Sequence, residues 1–265
     1  MADPCHAPTM PDGDLPHIEV RGLMMAFGDF VLQRDLSFSI PRGSIFVIMG
    51  GSGCGKSTLL RHILGLLDPA KGSVLLDGRE ITRLDVEARE AIMRRFGVLY
   101  QSGALWSSMT LAENISLPLE EYTELKPAEI REIAALKMAM VGLRGFEDYY
   151  PSEVSGGMQK RAGLARAIAL DPEILCIDEP SAGLDPISSK RLDDLILELR
   201  DSMDTTVVMV THELPSIYAI GTDSIFLDAE TRTMIASGPP VWLRDHCVHP
   251  TVRTFMTRGG EGENG

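Results

Sequence analysis

Residues 45–58 read Ile45-Phe46-Val47-Ile48-Met49-Gly50-Gly51-Ser52-Gly53-Cys54-Gly55-Lys56-Ser57-Thr58. An unbroken apolar run of this length suits a strand buried on both faces. The glycine-rich turn after it matches GxxxxGK[ST], the P-loop (Walker A) pattern, and Ser57–Leu67 continues with helical spacing, which is the strand–turn–helix context that the pattern needs. Glycines let successive backbone N–H groups curl around phosphate oxygens without Cβ clashes, and a helix N-terminus adds a favourable dipole. Lys56 is then placed to reach the β- and γ-phosphates, and Ser57 to offer its hydroxyl to Mg²⁺. The candidate nucleotide-binding residues are therefore Gly50, Gly51, Ser52, Gly53, Cys54, Gly55, Lys56, Ser57 and Thr58.

Outward from this stretch, short apolar runs alternate with helical patterns, the mark of an α/β fold with a mainly parallel sheet. Ile45–Met49, Gly97–Tyr100, Ile174–Ile177, Thr206–Val210 and Ser224–Leu227 are the expected central strands. Ile18–Arg21, Leu36–Ile40, Ser73–Leu76 and Met234–Ser237 are shorter and alternate, and Asp77-Gly78 is a hairpin signal, so a small antiparallel β subdomain is expected. From Leu111 to Gly142 the pattern is helical, over Leu111–Glu121 and Pro127–Val141. Pro127 suits a first helical turn, Glu129 and Glu132 complement its dipole, and Gly142 suits the position after the helix. This predicts an α-helical subdomain inserted at about 102–165. Residues 1–16, which hold Pro4, Pro8, Pro11 and Pro16, are expected to be a loose arm; 17–248 form the domain and 249–265 a tail, mobile over Arg258–Gly265.

Composition narrows the function classes. The 265 residues fit one full-sized domain, and a hydrophobic fraction of 44% excludes disordered or collagen-like chains. The 25 Lys and Arg against 38 Asp and Glu leave a formal charge of −13, which argues against a nucleic-acid binder and against charge-driven adhesion to an anionic membrane. No apolar run approaches the roughly 20 residues of a membrane span, and Met1–His17 lacks the apolar core of a secretory signal. Cys5, Cys54, Cys176 and Cys247 have no paired spacing, so no disulfide framework is expected. His246-Cys247-Val248-His249 lacks the second ligand pair that tetrahedral zinc needs. Cys54, at a helix start, is a small filler whose thiol is expected to have a lowered pKa.

Two further stretches choose among nucleotide-binding proteins. Ile174-Leu175-Cys176-Ile177-Asp178-Glu179 is an apolar strand ending in two carboxylates, with Asp178 the expected Mg²⁺ partner and Glu179 the base that polarises the attacking water. Val154-Ser155-Gly156-Gly157-Met158-Gln159-Lys160-Arg161 opens a helical run. With it, the sequence over about residues 17–248 resembles the ATP-binding cassette (ABC) ATPases, whose signature reads Leu-Ser-Gly-Gly-Gln. Gln101 after a strand (Q-loop), Ser181–Asp185 (D-loop), His212 after Thr206–Val210 (switch histidine) and Phe27 upstream of the P-loop stand in the family's order. The resemblance implies a P-loop NTPase (RecA-like) core, ATP and Mg²⁺ as cofactors, and hydrolysis by Glu179 with His212 and Gln101. It implies Ser57, Gln101 and Asp178 around Mg²⁺ and Phe27 stacking on adenine. It also implies a head-to-tail dimer with an identical chain, where Ser155, Gly156, Gly157 and Asp185 serve the nucleotide held by the partner.

Met158 departs from that signature. Ser-x-x-Gln is a capping-box pattern, and methionine cannot return the second hydrogen bond, so one-sided capping by Ser155 is expected. Ser-Gly-Gly-Met with the following basic residues, Tyr100-Gln101-Ser102-Gly103-Ala104-Leu105-Trp106 and Val141-Gly142-Leu143-Arg144-Gly145 are similar to one branch. This is the ATPases of mammalian-cell-entry (MCE) and maintenance-of-lipid-asymmetry (Mla) transporters. That resemblance implies a motor for moving phospholipids or related lipids between bacterial membranes, bound through integral-membrane permease subunits to the cytoplasmic face of the inner membrane, with an MCE-domain lipid-binding protein as a further partner. Trp106 either packs into the helical subdomain or lines a groove for a permease helix. The chain ends soon after Thr251–Thr257, so a long C-terminal clasp is not expected and a small accessory subunit is left open. An ABC transporter for another solute, or a soluble ABC protein outside transport, remains as the alternative.

Overall fold

The computed structural model describes residues 5–7, 15–82 and 84–257. They fall into two compact units, Met1–Arg89 with Val208–Gly265, and Glu90–Val207. Its mixed parallel and antiparallel sheets with helices form an α/β P-loop NTPase fold.

The first unit opens with β1 (Ile18–Phe27) and β2 (Phe30–Ile40), antiparallel from Ile18↔Ile40 to Phe27↔Phe30. Both run well beyond the expected Ile18–Arg21 and Leu36–Ile40. Register shifts between Val20 and Ala26 let β1 continue where the alternation in the sequence breaks. Next come β3 (Ile45–Gly50), α1 (Lys56–Ile63), β4 (Lys71–Leu76) and β5 (Arg79–Glu80). Asp77 (φ 51°) and Gly78 (φ 74°) are both left-handed, as a two-residue hairpin turn requires, and join β4 to β5 in the sheet β2-β1-β4-β5. Helix α2 (Val86–Met93), which sequence periodicity did not mark, crosses into the second unit.

In the second unit β6 (Phe96–Leu99) is followed by α3 (Leu111–Tyr122), α4 (Pro127–Met140), a 3-10 turn at Pro151–Glu153, α5 (Gly156–Ala167), β7 (Ile174–Asp178) and α6 (Pro186–Met203). Thr110 caps α3 through a reciprocal box with Glu113, which satisfies two otherwise orphaned N–H groups. Leu111, Ile115 and Leu119 of α3 are buried, as are Ile130, Ala134 and Met138 of α4, each set at helical spacing. Gly142, at φ 69°, follows α4 as expected. Strand β6 runs parallel to β7, and β8 (Thr206–Val210) completes the order β8-β7-β6.

The chain then re-enters the first unit through α7 (Leu214–Ile220), β9 (Asp223–Asp228), β10 (Thr233–Ser237), α8 (Pro240–His246) and α9 (Pro250–Thr257). There the order is β10-β9-β3-β8, with β3 parallel to β9 and β10 antiparallel to it. All residues of β3 and β8 are buried, which explains the unbroken apolar runs Ile45–Met49 and Val207–Val210.

The cysteines depart from expectation. Cys5 and Cys247 are joined by a disulfide across a sequence separation of 242, and both are buried. Backbone bonds reinforce the tie: Ala7 N donates to Ser237 O (2.9 Å) and Ser237 N to Cys5 O (3.0 Å). Cys5–Ala7 is thus held against β10, although residues 1–16 read as a loose arm. Residues 1–4, 8–14 and the tail 258–265 lie outside the described residues. The disulfide also takes Cys247 out of any metal cluster with its neighbouring histidines.

Candidate functional site

The expected site residues are divided between the units, with Phe27, residues 50–58 and His212 in the first, and Gln101, residues 155–157, Asp178, Glu179 and Asp185 in the second.

In the first unit, β3 delivers Gly50 to a turn at φ 144°. A Cβ at Gly50 would collide with the Leu227 carbonyl oxygen and stand 2.7 Å from Cys54 Sγ, so the position admits only glycine. Gly55 (φ 99°) caps α1 with no side chain, and the first turn of α1 carries no acid. Its N–H groups and dipole therefore favour an anion, which is the fit that a nucleotide phosphate demands. Lys56 Nζ lies across the loop and donates to the carbonyls of Gly50 (3.0 Å) and Gly51 (2.9 Å).

The floor of this loop contains a residue that sequence reasoning missed. Gln33 of β2 is fully buried, and its Nε2 donates to Cys54 O (2.8 Å) and Asp228 O (2.9 Å). Its Oε1 has no hydrogen-bond partner among the described residues. The available signal was an amide at an inward strand position. Cys54 corrects its expectation: burial pushes its thiol pKa up, and the nearby Lys56 charge opposes that only in part. The ring of Phe27, at the end of β1, is 56% exposed and accessible for stacking. His212 follows β8 with its side chain half exposed.

In the second unit, Ser155 caps α5 by accepting from Met158 N (3.3 Å), with no return bond from the methionine, as its side chain dictates. A Cβ at Gly156 would meet nothing within 4 Å, so the helix start is open to an incoming group. Asp178 ends β7, and Glu179 follows with a left-handed φ of 49°. Lys160 of α5 is buried, and its Nζ donates to Pro180 O and Ala182 O, both at 2.6 Å, with Glu179 O at 3.5 Å. Burial lowers its pKa while the Glu179 charge acts in the opposite direction. Asp185 caps α6, accepting from the N–H groups of Ile187 and Ser188 at 3.0 Å each, and bonding with Ser188 holds its carboxyl below the usual range.

Gln101 is exposed in the turn after β6. Arg166 of α5 secures that turn by donating to Ala104 O (2.7 Å) and Gly103 O (2.9 Å). Trp106 is 62% exposed, while its backbone is clamped by Asn114, which accepts from its N–H (2.7 Å) and donates to its carbonyl (3.1 Å). Of the two readings of Trp106, the packed one is excluded within this unit. No helix among the described residues is long and apolar enough to cross a membrane.

A family model described as ABC transporter matches residues 33–182. The chain belongs to the ABC transporter family. Over 206 residues it is 45% identical to the probable ribonucleotide transport ATP-binding protein mkl of Mycobacterium leprae, a match covering 77% of this chain and 59% of that protein. The chain thus spans little more than half the length of this mycobacterial relative. Over 221 residues it is 41% identical to the intermembrane phospholipid transport system ATP-binding protein MlaF of Haemophilus influenzae, covering 83% of each. Among solved structures it is similar to a dimeric ATP-binding cassette in a post-hydrolysis state with ADP and Pi. That match has a TM-score of 0.72 and 29% identity over 80% of this chain and 96% of the other.

Proposed function

We propose that this ABC chain is the ATP-hydrolysing motor of a bacterial transporter that moves phospholipids or related lipids between membranes. The observation that carries the lipid reading is the similarity to the phospholipid-transport protein of Haemophilus influenzae, which spans most of both chains. The P-loop geometry supports the ATPase reading: an uncapped helix start, glycine-only backbone and a lysine lying over the loop all serve a nucleotide phosphate.

When bound, Mg²⁺ neutralises phosphate charge, and Ser57, Gln101 and Asp178 would hold it. Lys56 and the loop N–H groups orient the β- and γ-phosphates, and the Phe27 ring stacks on the base. Glu179 polarises the attacking water, with His212 and Gln101 positioning it. Ser155, Gly156, Gly157 and Asp185 close on the nucleotide of a second identical chain, in a two-fold dimer consistent with the dimeric cassette relative. Permease subunits hold the chain at the cytoplasmic face of the inner membrane, and the exposed Trp106 is an anchor for that contact. An MCE-domain protein is the further partner.

The test is purification of the chain with its membrane partners, identification of the co-purified cargo, and measurement of ATP-driven lipid transfer between vesicles. Bound phospholipid and transfer that stops in Lys56→Ala are expected. A complex that carries nucleotides, as the name of the mycobacterial relative suggests for that protein, or that transfers no lipid, overturns the lipid reading.

A further inference from the structure

Lys160 is the one residue of α5 that reaches the turn after β7 through its ammonium. That group has three N–H donors and no acceptor. Here three backbone carbonyls face it, those of Glu179, Pro180 and Ala182, the last two at 2.6 Å, and an ionised donor makes such bonds stronger than neutral ones. The backbone it grips is unusual. Glu179 sits at φ 49°, a conformation that a residue with a Cβ adopts only when its surroundings impose it. The carbonyls that follow Glu179 are the groups whose direction that conformation sets.

We propose that Lys160 is the positioning residue for Glu179, and that by holding residues 179–182 to the first turns of α5 it makes the catalytic carboxylate and the Ser155–Gly157 anion site one rigid body. The inference rests on the reading of Glu179 as the base and of Ser155–Gly157 as the site for the partner's nucleotide. In the dimer, Glu179 works on the nucleotide of its own chain while the start of α5 closes on that of the partner. Lys160 therefore links the two hydrolytic sites: α5 cannot settle on one nucleotide without setting the carboxylate that acts on the other. The link needs no change in nucleotide affinity, because the groups that the Lys160 ammonium holds are backbone carbonyls of the turn after β7.

Three variants of the full chain, assayed in its complex, test this. Lys160→Met keeps the stem and removes the donors; its kcat is expected to fall about 10- to 100-fold, the scale of a misplaced catalytic group, with the affinity for Mg-ATP within threefold of wild type. Lys160→Gln restores two donors and should recover part of the loss; if Lys160→Met does not fold, a 3- to 10-fold fall in kcat at constant affinity in Lys160→Gln stands in its place. Glu179→Gln should bind nucleotide and not turn over. Wild-type kcat in Lys160→Met, or in Lys160→Gln where Lys160→Met does not fold, overturns the proposal, as does a loss that follows nucleotide affinity or thermal stability with no rescue by glutamine. Wild-type turnover in Glu179→Gln instead removes the underlying reading of Glu179, and the proposal with it.

Discussion

Replacing Gln33 by leucine removes the floor of the P-loop while leaving residues 50–58 themselves unchanged. Two carbonyls, Cys54 O and Asp228 O, lose donors at 2.8 and 2.9 Å in a fully buried setting. Leaving a buried acceptor unsatisfied costs about 1–3 kcal/mol each. The substitution also removes Oε1, a buried amide oxygen with no hydrogen-bond partner among the described residues, and relief of that desolvation returns about 1 kcal/mol. The net expectation is a destabilisation of about 2 kcal/mol, smaller than the bond count alone suggests. For a chain of this size that lowers Tm by roughly 4–8 °C. Because the freed Cys54 carbonyl lies inside the phosphate loop, Mg-ATP affinity should also fall, roughly three- to tenfold. Thermal unfolding of the full chain, with and without Mg-ATP, reads both effects, since a ligand that binds only the folded state raises Tm with its affinity. Gln33→Glu places a carboxylate against two carbonyls and should be worse at neutral pH than leucine. A leucine variant as stable as wild type, with an undiminished nucleotide shift, would refute the reasoning.

Other outcomes follow from the same geometry. Gly50→Ala should abolish the Mg-ATP stabilisation, because its Cβ meets the Leu227 backbone carbonyl, which cannot yield as a side chain would; retained nucleotide binding would contradict the close approach. His62 is 4% exposed, with Nδ1 donating to Leu67 O (2.8 Å), and burial lowers its folded pKa below the unfolded value. Protonation then favours the unfolded chain, so stability should fall as pH drops through about 6.5 and toward the folded pKa, and His62→Gln should flatten that part of a Tm–pH profile. Reducing the Cys5–Cys247 bond removes a cross-link over 242 residues and should cost about 2–5 kcal/mol, visible as a lower Tm with dithiothreitol that Cys5→Ser reproduces and then makes insensitive to reductant.

Legibility in the sequence followed the range of the forces involved. The run Ile45–Met49, the glycine turn and the uncapped start of α1 are local, and their strand–turn–helix reading agrees with the structure. Thr206–Val210 and Ile174–Ile177 announced themselves because burial on both faces makes them almost wholly apolar. Strands β1 and β2 were read too short, since register shifts interrupt alternation without ending the pairing. Cys54 was assigned a lowered pKa from its place at a helix start; burial by its surroundings outweighs that local term.

The sequence by itself determined the local pieces of the candidate site: a P-loop pattern between strand and helix, adjacent carboxylates after a strand, and a serine-capped glycine helix start, each written within a few consecutive residues. Tertiary structure alone decided what holds those pieces in place. Gln33 reaches across 21 residues to Cys54 and 195 to Asp228, Lys160 reaches 22 residues to Ala182, and Cys5 meets Cys247 across 242. Such contacts depend on where folding brings distant backbone, and a single amide, ammonium or thiol carries no mark in the sequence of the partner it will find.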